Sequence, residues 1–162
     1  MKAATLKQIK TELSRYPEDK MEAIILRLAK YKKDNKELLT YLLFEADDED
    51  GYIDEVKIQI DEDFAKLNSV SLFLAKKTIR KALRTTDKYI KYSGLKQTEA
   101  SLRIYFCYRM NYYKLIWKFS PAMENLYNRQ IEKINKSISY LHEDLQFDFR
   151  IEMEDLLGIG RD

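Results

Sequence analysis

The amino-acid sequence predicts an all-α protein, a compact or mildly curved bundle of about six to eight helices. Glycine and proline are scarce, 4 and 2 in 162 residues, where average usage is roughly 7% and 5%, so little material is present for tight turns and long loops. Apolar residues recur at intervals of three and four through most of the chain, the spacing of one face of a helix. The balance of 45% hydrophobic and 35% charged residues is that of a globular chain rather than a disordered one. The length suits a single helical domain over 1–162. HEAT-like helical hairpins are compatible with this pattern, although no internal repeat accompanies it.

Leu6, Ile9, Leu13 and Tyr16 share one face and predict the first helix. Pro17 fits the first position of the second, where its missing N–H costs nothing, with Met21, Ile24, Ile25, Leu28 and Tyr31 as the stripe. Asp34 and Glu37 have capping-box spacing ahead of Leu38, Leu39, Leu42 and Leu43. Residues 45–51 are acidic and break the pattern, so they read as a connection. Ile53, Val56, Ile60, Phe64 and Leu67 then resume helical spacing, while Val56, Ile58 and Ile60 also alternate as a short strand would; the longer window favours helix.

The clearest segment follows. Asn68 or Ser69 can cap a helix running to about Tyr92, with Gly94 as its left-handed terminator. Leu72, Ala75, Ile79, Ala82, Leu83, Thr86, Tyr89 and Ile90 fall on one arc of roughly 120°, and the basic residues between 76 and 91 on a separate arc of roughly 140°. From Thr98 to Phe119 the chain is rich in aromatics, and 102–108 suits strand or helix. Ser120-Pro121 opens another helix with Met123, Leu126, Tyr127, Ile134, Ile138 and Leu141 inside. Over 145–153 strand alternation competes with the helical set Leu141, Leu145, Phe149, Met153 and Leu156. A strand needs a partner for its backbone groups, and only weak partners exist, so helix is preferred. Gly158 and Gly160 predict a flexible tail over 158–162.

Charge is the uneven feature. The net value is +2, but residues 45–63 carry −9, residues 76–118 carry +10 and residues 142–162 carry −5. Segregation of this kind fits ordinary solvated helix faces, a protein interface steered by opposite patches, or phosphate contacts from the basic helix. Lys77, Arg80, Lys81, Arg84, Lys88 and Lys91 are the residues that would meet a nucleic acid. No helix-turn-helix, zinc-finger or RNA-binding sheet motif accompanies them. Tyr105, Tyr108, Arg109, Tyr112, Tyr113 and Trp117 form the second patch, since tyrosine presents apolar area while its hydroxyl stays hydrated.

Chemistry finds little support. His142 and Cys107 are each single, which excludes multi-histidine zinc sites and thiolate clusters, and a Cys–His nucleophile would need the two to meet. Asp48, Asp50 and Gly51 fit part of a calcium loop, but Ala46 and Lys57 occupy positions that need ligands. Carboxylate pairs from Asp54 or Glu55 with Glu62 or Asp63 leave an acid-pair enzyme as an alternative. No cofactor motif is present. Without a secretory signal or a run long enough to cross a bilayer, the expectation is a cytoplasmic protein without a transmembrane segment, and a peripheral membrane contact is disfavoured. The expected function is therefore a non-enzymatic interaction or scaffold domain that binds another protein or its own copy, with nucleic-acid binding by the helix over 76–91 as the alternative.

Overall fold

A computed structural model describes residues 1–160, apart from the side chain of Leu115. Among the described residues the secondary structure is entirely helical: eight helices of eight or more residues, one further single α-helical turn and one π-turn. The contacts gather into two units, Met1–Phe44 and Glu45 onward.

The first unit holds α1 (Leu6–Leu13), α2 (Glu18–Tyr31) and α3 (Lys33–Thr40), and a π-turn over Tyr41–Glu45 follows. Thr5 and Gln8 form a capping box at the start of α1, a signal absent from the sequence reading. Pro17 stands one position outside α2 rather than at its first turn. Asp34 does not cap α3: Lys32, with extended backbone, is the single non-helical residue between α2 and α3, and Asp34 lies inside the first turn. The corner is held instead by Asn35, whose Nδ2 donates to the Leu28 carbonyl at 2.8 Å. Alone among residues 1–44, Tyr41 is buried, because three short amphipathic helices have too little surface to enclose a core.

The second unit is built around one helix. It contains α4 (Glu49–Ala65), α5 (Leu72–Ser93), α6 (Lys96–Tyr112), the single turn α7 (Lys114–Trp117), α8 (Pro121–Ile138) and α9 (Glu143–Leu157). Helices α4, α5, α8 and α9 all pack on α6, which is a bundle's arrangement rather than a stack of hairpins. Surrounded this way, α6 buries Ala100, Leu102, Ile104, Phe106, Cys107 and Met110 on several sides. That explains its strand-like alternation, since a helix enclosed all round has no polar face to show a period. Residues 56–60 are likewise helical, with Val56 and Ile60 buried and Ile58 exposed. In α9, Phe149 and Met153 are buried four residues apart while Phe147 and Ile151 are exposed, so the helical set is the one the core accepts.

The boundaries also have local causes. The acidic connection is shorter than 45–51: Glu45 belongs to the π-turn, and Asp48 caps α4 by accepting from the Gly51 N–H at 3.1 Å. A Cβ at position 51 would run into the Asp48 carboxylate, so a larger residue there would displace the capping side chain. Asn68 shapes the next turn by accepting from the N–H groups of Val70 and Ser71 at 2.9 and 2.7 Å, while Ser71, not Asn68 or Ser69, caps α5. Gly94 ends α5 at φ +70° and Gly158 ends α9 at φ +67°, the left-handed geometry that favours glycine. Of the tail expected over 158–162, residues 161 and 162 lie outside the described residues.

Candidate interaction surface

Helix α5 is long enough to present two separate faces. Ala75, Ile79, Ala82, Thr86 and Ile90 are buried against the rest of the unit, each large apolar member contributing about 1.5–3 kcal/mol by leaving water. The opposite side carries the basic residues. Lys77, Arg80, Lys81, Arg84 and Lys91 are exposed, and Lys88 is half-buried over the rings of Tyr89 and Tyr92 at 4.8 and 5.9 Å. Among the described residues none of the five exposed bases makes an ion pair. The stripe from Lys77 to Lys91 extends for about 21 Å at the helical rise per residue.

The acids that offset these bases in the overall charge lie elsewhere or are engaged. On α4, Asp61 faces Arg109 of α6, Oδ1 to Nε 2.9 Å, and Asp63 is buried with Lys66 Nζ at 3.5 Å. Glu49 accepts from the hydroxyls of Ser93 and Thr98, tying the start of α4 to the α5–α6 turn. Neutralisation between the acidic and basic blocks therefore does not reach the outer face of α5.

The residues of the aromatic patch make contacts within the second unit. Tyr105 is half-buried and donates its hydroxyl to Asp61 Oδ2 at 2.7 Å. Burial and that bond push its pKa up to about 12. Tyr108 leans on Tyr105 with ring centroids 5.9 Å apart. Arg109 sits over the rings of Tyr112 and Tyr113 at 5.4 and 5.9 Å, and Tyr113 stacks on Phe64. Trp117 is buried, its Nε1 donating to the Met110 carbonyl at 2.8 Å. Of these six residues only Tyr112 is exposed. These rings also join α4, α6 and α7 within the unit, because an aromatic helix at the centre of a bundle has neighbours on most sides.

A second polar group was not anticipated. Arg103 is buried at the centre of the unit, 2.7 Å from Gln130 Oε1 of α8, 2.8 Å from Asp87 Oδ1 of α5 and 3.0 Å from Glu99 Oε1. The contact to Asp87 is an ion pair without an aligned hydrogen bond. Burial alone would raise the Glu99 pKa, but bonds from Lys96 and Arg103 outweigh it and hold the carboxyl below its ordinary value. Lys91, Lys96 and Lys133 stand around the same shallow cleft. The Glu99–Arg103 spacing of four is visible in sequence; Asp87 and Gln130 reach the group only through the tertiary fold.

The residues weighed for chemistry are dispersed. Cys107 is buried in α6, where desolvation pushes its thiol up to about 12, so the thiolate a nucleophile needs is disfavoured. His142 is exposed and caps α9, its Nδ1 accepting from the Asp144 N–H at 3.4 Å. Asp54, Glu55 and Glu62 face solvent, whereas Asp63 is turned into the core, so these carboxylates do not converge. Asp48 and Asp50 belong to a helix start rather than to a loop that could wrap a cation. Among the described residues no cluster of three or more metal-ligating side chains occurs, and no helix is long and apolar enough to cross a membrane. In comparisons with protein families, with characterised sequences and with solved structures, nothing matches this chain.

Proposed function

We propose that this chain is a non-enzymatic interaction module that docks an acidic protein surface on the outer face of α5. The reading is carried by one observation: Lys77, Arg80, Lys81, Arg84 and Lys91 are exposed along a single rigid helix and unpaired among the described residues. Cations held on a helix whose opposite side is packed in a core are pre-positioned, so a partner meets an ordered row of charge rather than a flexible arm. Lys88 and its tyrosines extend that row with apolar ring surface. Peripheral attachment to a bilayer gains little support from α5, since its apolar arc is buried. A cytoplasmic setting accords with a lone, buried thiol.

A duplex would use the same cations, so the test separates the two partners. Full-length protein and an Arg80→Glu/Arg84→Glu variant are titrated with a fluorescent poly-glutamate peptide and with a random-sequence DNA duplex across a salt series. Salt-sensitive binding of the peptide, at least tenfold weaker in the variant and tighter than binding of the duplex, supports the protein reading. Tighter duplex binding with a steep salt slope replaces it with the nucleic-acid alternative. Association with neither probe at low salt removes α5 as the docking face.

A further inference from the structure

The first unit contains an apolar groove and, separately, an apolar helix face that does not fill it. The groove lies between α2 and α3 and is lined by Ile25, Leu28, Ala29, Leu38, Leu39 and Leu42, with Asn35 at one side. Leu28 and Leu42 are more than half exposed. Its volume of about 230 Å³ is below the roughly 300–1,000 Å³ usual for small-molecule sites. The side-chain amide of Asn35 already donates to the Leu28 carbonyl. Without a cluster of converging polar groups to orient a small ligand, the groove is suited to a row of aliphatic side chains.

Helix α1 supplies such a row. Leu6, Ile9 and Leu13 follow the i, i+3, i+7 spacing by which amphipathic helices enter grooves. No residue of α1 is buried. Leu6 is 84% exposed and Ile9 43% exposed. Helices α2 and α3 pack on one another, whereas α1 makes no comparable packing with either, and none of its residues lines the groove. With 8 residues α1 equals α3, the helix that forms one wall, at about 12 Å each.

We infer that α1 of one copy docks in the α2–α3 groove of a second copy, and reciprocally, making a two-fold dimer by helix exchange. A two-fold exchange covers both apolar surfaces at once and closes, leaving no open-ended contact. Within one chain α1 lies outside the groove, and Pro17 with φ −61° stands between it and α2. This inference is independent of the α5 docking face and differs from it in kind, because an apolar contact is not weakened by the salt that screens charges.

Sedimentation velocity of the full-length chain across roughly 1–500 µM, a range in which small interfaces dissociate, tests it. A concentration-dependent dimer that persists in high salt is expected. Ile9→Glu/Leu13→Glu alters α1, and Leu28→Glu/Leu42→Glu alters exposed groove positions. Each is expected to weaken dimerisation at least tenfold with circular-dichroism helicity retained. An equimolar mixture of the two variants pairs an intact α1 with an intact groove, so it is expected to form a heterodimer although neither variant self-associates. A monomer at every concentration, or a dimer unaffected by Ile9→Glu/Leu13→Glu, overturns the proposal. Should the groove variant lose helicity, the α1 variant alone decides the matter. The α5 substitutions Arg80→Glu/Arg84→Glu leave this dimer unchanged, so the two readings fail separately.

Discussion

Arg103 and the pair Arg80 and Arg84 are the same residue type on adjacent helices, yet they occupy opposite physical situations. Arg103 is enclosed by Asp87, Glu99 and Gln130 from three helices. Arg80 and Arg84 stand in solvent without an ion-pair partner among the described residues. A buried guanidinium must be matched by carboxylates and carbonyls to offset its lost hydration, so its surroundings are committed to the fold. An exposed one keeps its hydration and leaves its five donors available. The contrast indicates where a partner could gain from contact and where it could not.

The largest expected effect is at the buried end of this contrast. Arg103→Leu removes the cation facing Asp87 and Gln130, leaves Glu99 with Lys96, and is expected to destabilise the protein by about 3 kcal/mol, read from urea unfolding. A loss below about 1 kcal/mol would mean that the network contributes little and that the two arginines differ less than their burial indicates. The same network has a pH signature. The Glu99 carboxyl is held below its ordinary value of 4.5, so the folded state binds its proton less readily than the unfolded state. Its contribution is therefore present in full above that value and lost as the pH falls through the folded pKa. Unfolding midpoints measured from pH 7 to pH 3 are expected to decline, and Glu99→Gln is expected to flatten part of that decline.

Intermediate effects sharpen the assignment of the aromatic belt. Tyr105→Phe removes the donor to Asp61 and is expected to cost about 1 kcal/mol. No change in stability would return Tyr105 to the set of residues free to contact a partner. The two serine caps provide a smaller comparison. Ser71 accepts from the Leu74 N–H at 3.4 Å, whereas the buried Ser120 hydroxyl has no hydrogen-bond partner among the described residues. Ser71→Ala is expected to cost about 1 kcal/mol, and Ser120→Ala to be neutral or slightly stabilising. Equal losses would break that distinction. The smallest effect on folding is expected at the exposed end: Arg80→Glu/Arg84→Glu should change stability by no more than about 0.5 kcal/mol, while it alters binding of the acidic probe.

The helical character, the two faces of α5, the Gly94 terminator and the segregation of charge were all legible in the residues, because each depends on spacing within one segment. Helix starts were less legible. Asp34 and Asn68 have the chemistry of caps, but the chain turns at Lys32 and Ser71, where Asn35 bonded to Leu28 and Asn68 bonded to the next turn set the geometry. The surroundings of the aromatic residues over 105–117 were illegible for a related reason. Residues such as Tyr105, Tyr113 and Trp117 serve a core or a surface equally well until their neighbours are known, and here Asp61, Phe64 and the Met110 carbonyl supply those neighbours.

The sequence by itself determined that this chain is helical and that α5 carries bases on one side and apolar residues on the other, since a period of 3.6 residues converts residue order into faces. Only the tertiary structure decided which charges are spoken for. Ion pairs such as Asp87–Arg103 and Asp61–Arg109 join helices across 16 and 48 residues of chain, and no local spacing encodes them. That pairing leaves the outer row of α5 unmatched, and the packing of the first unit leaves α1 and the α2–α3 groove each uncovered.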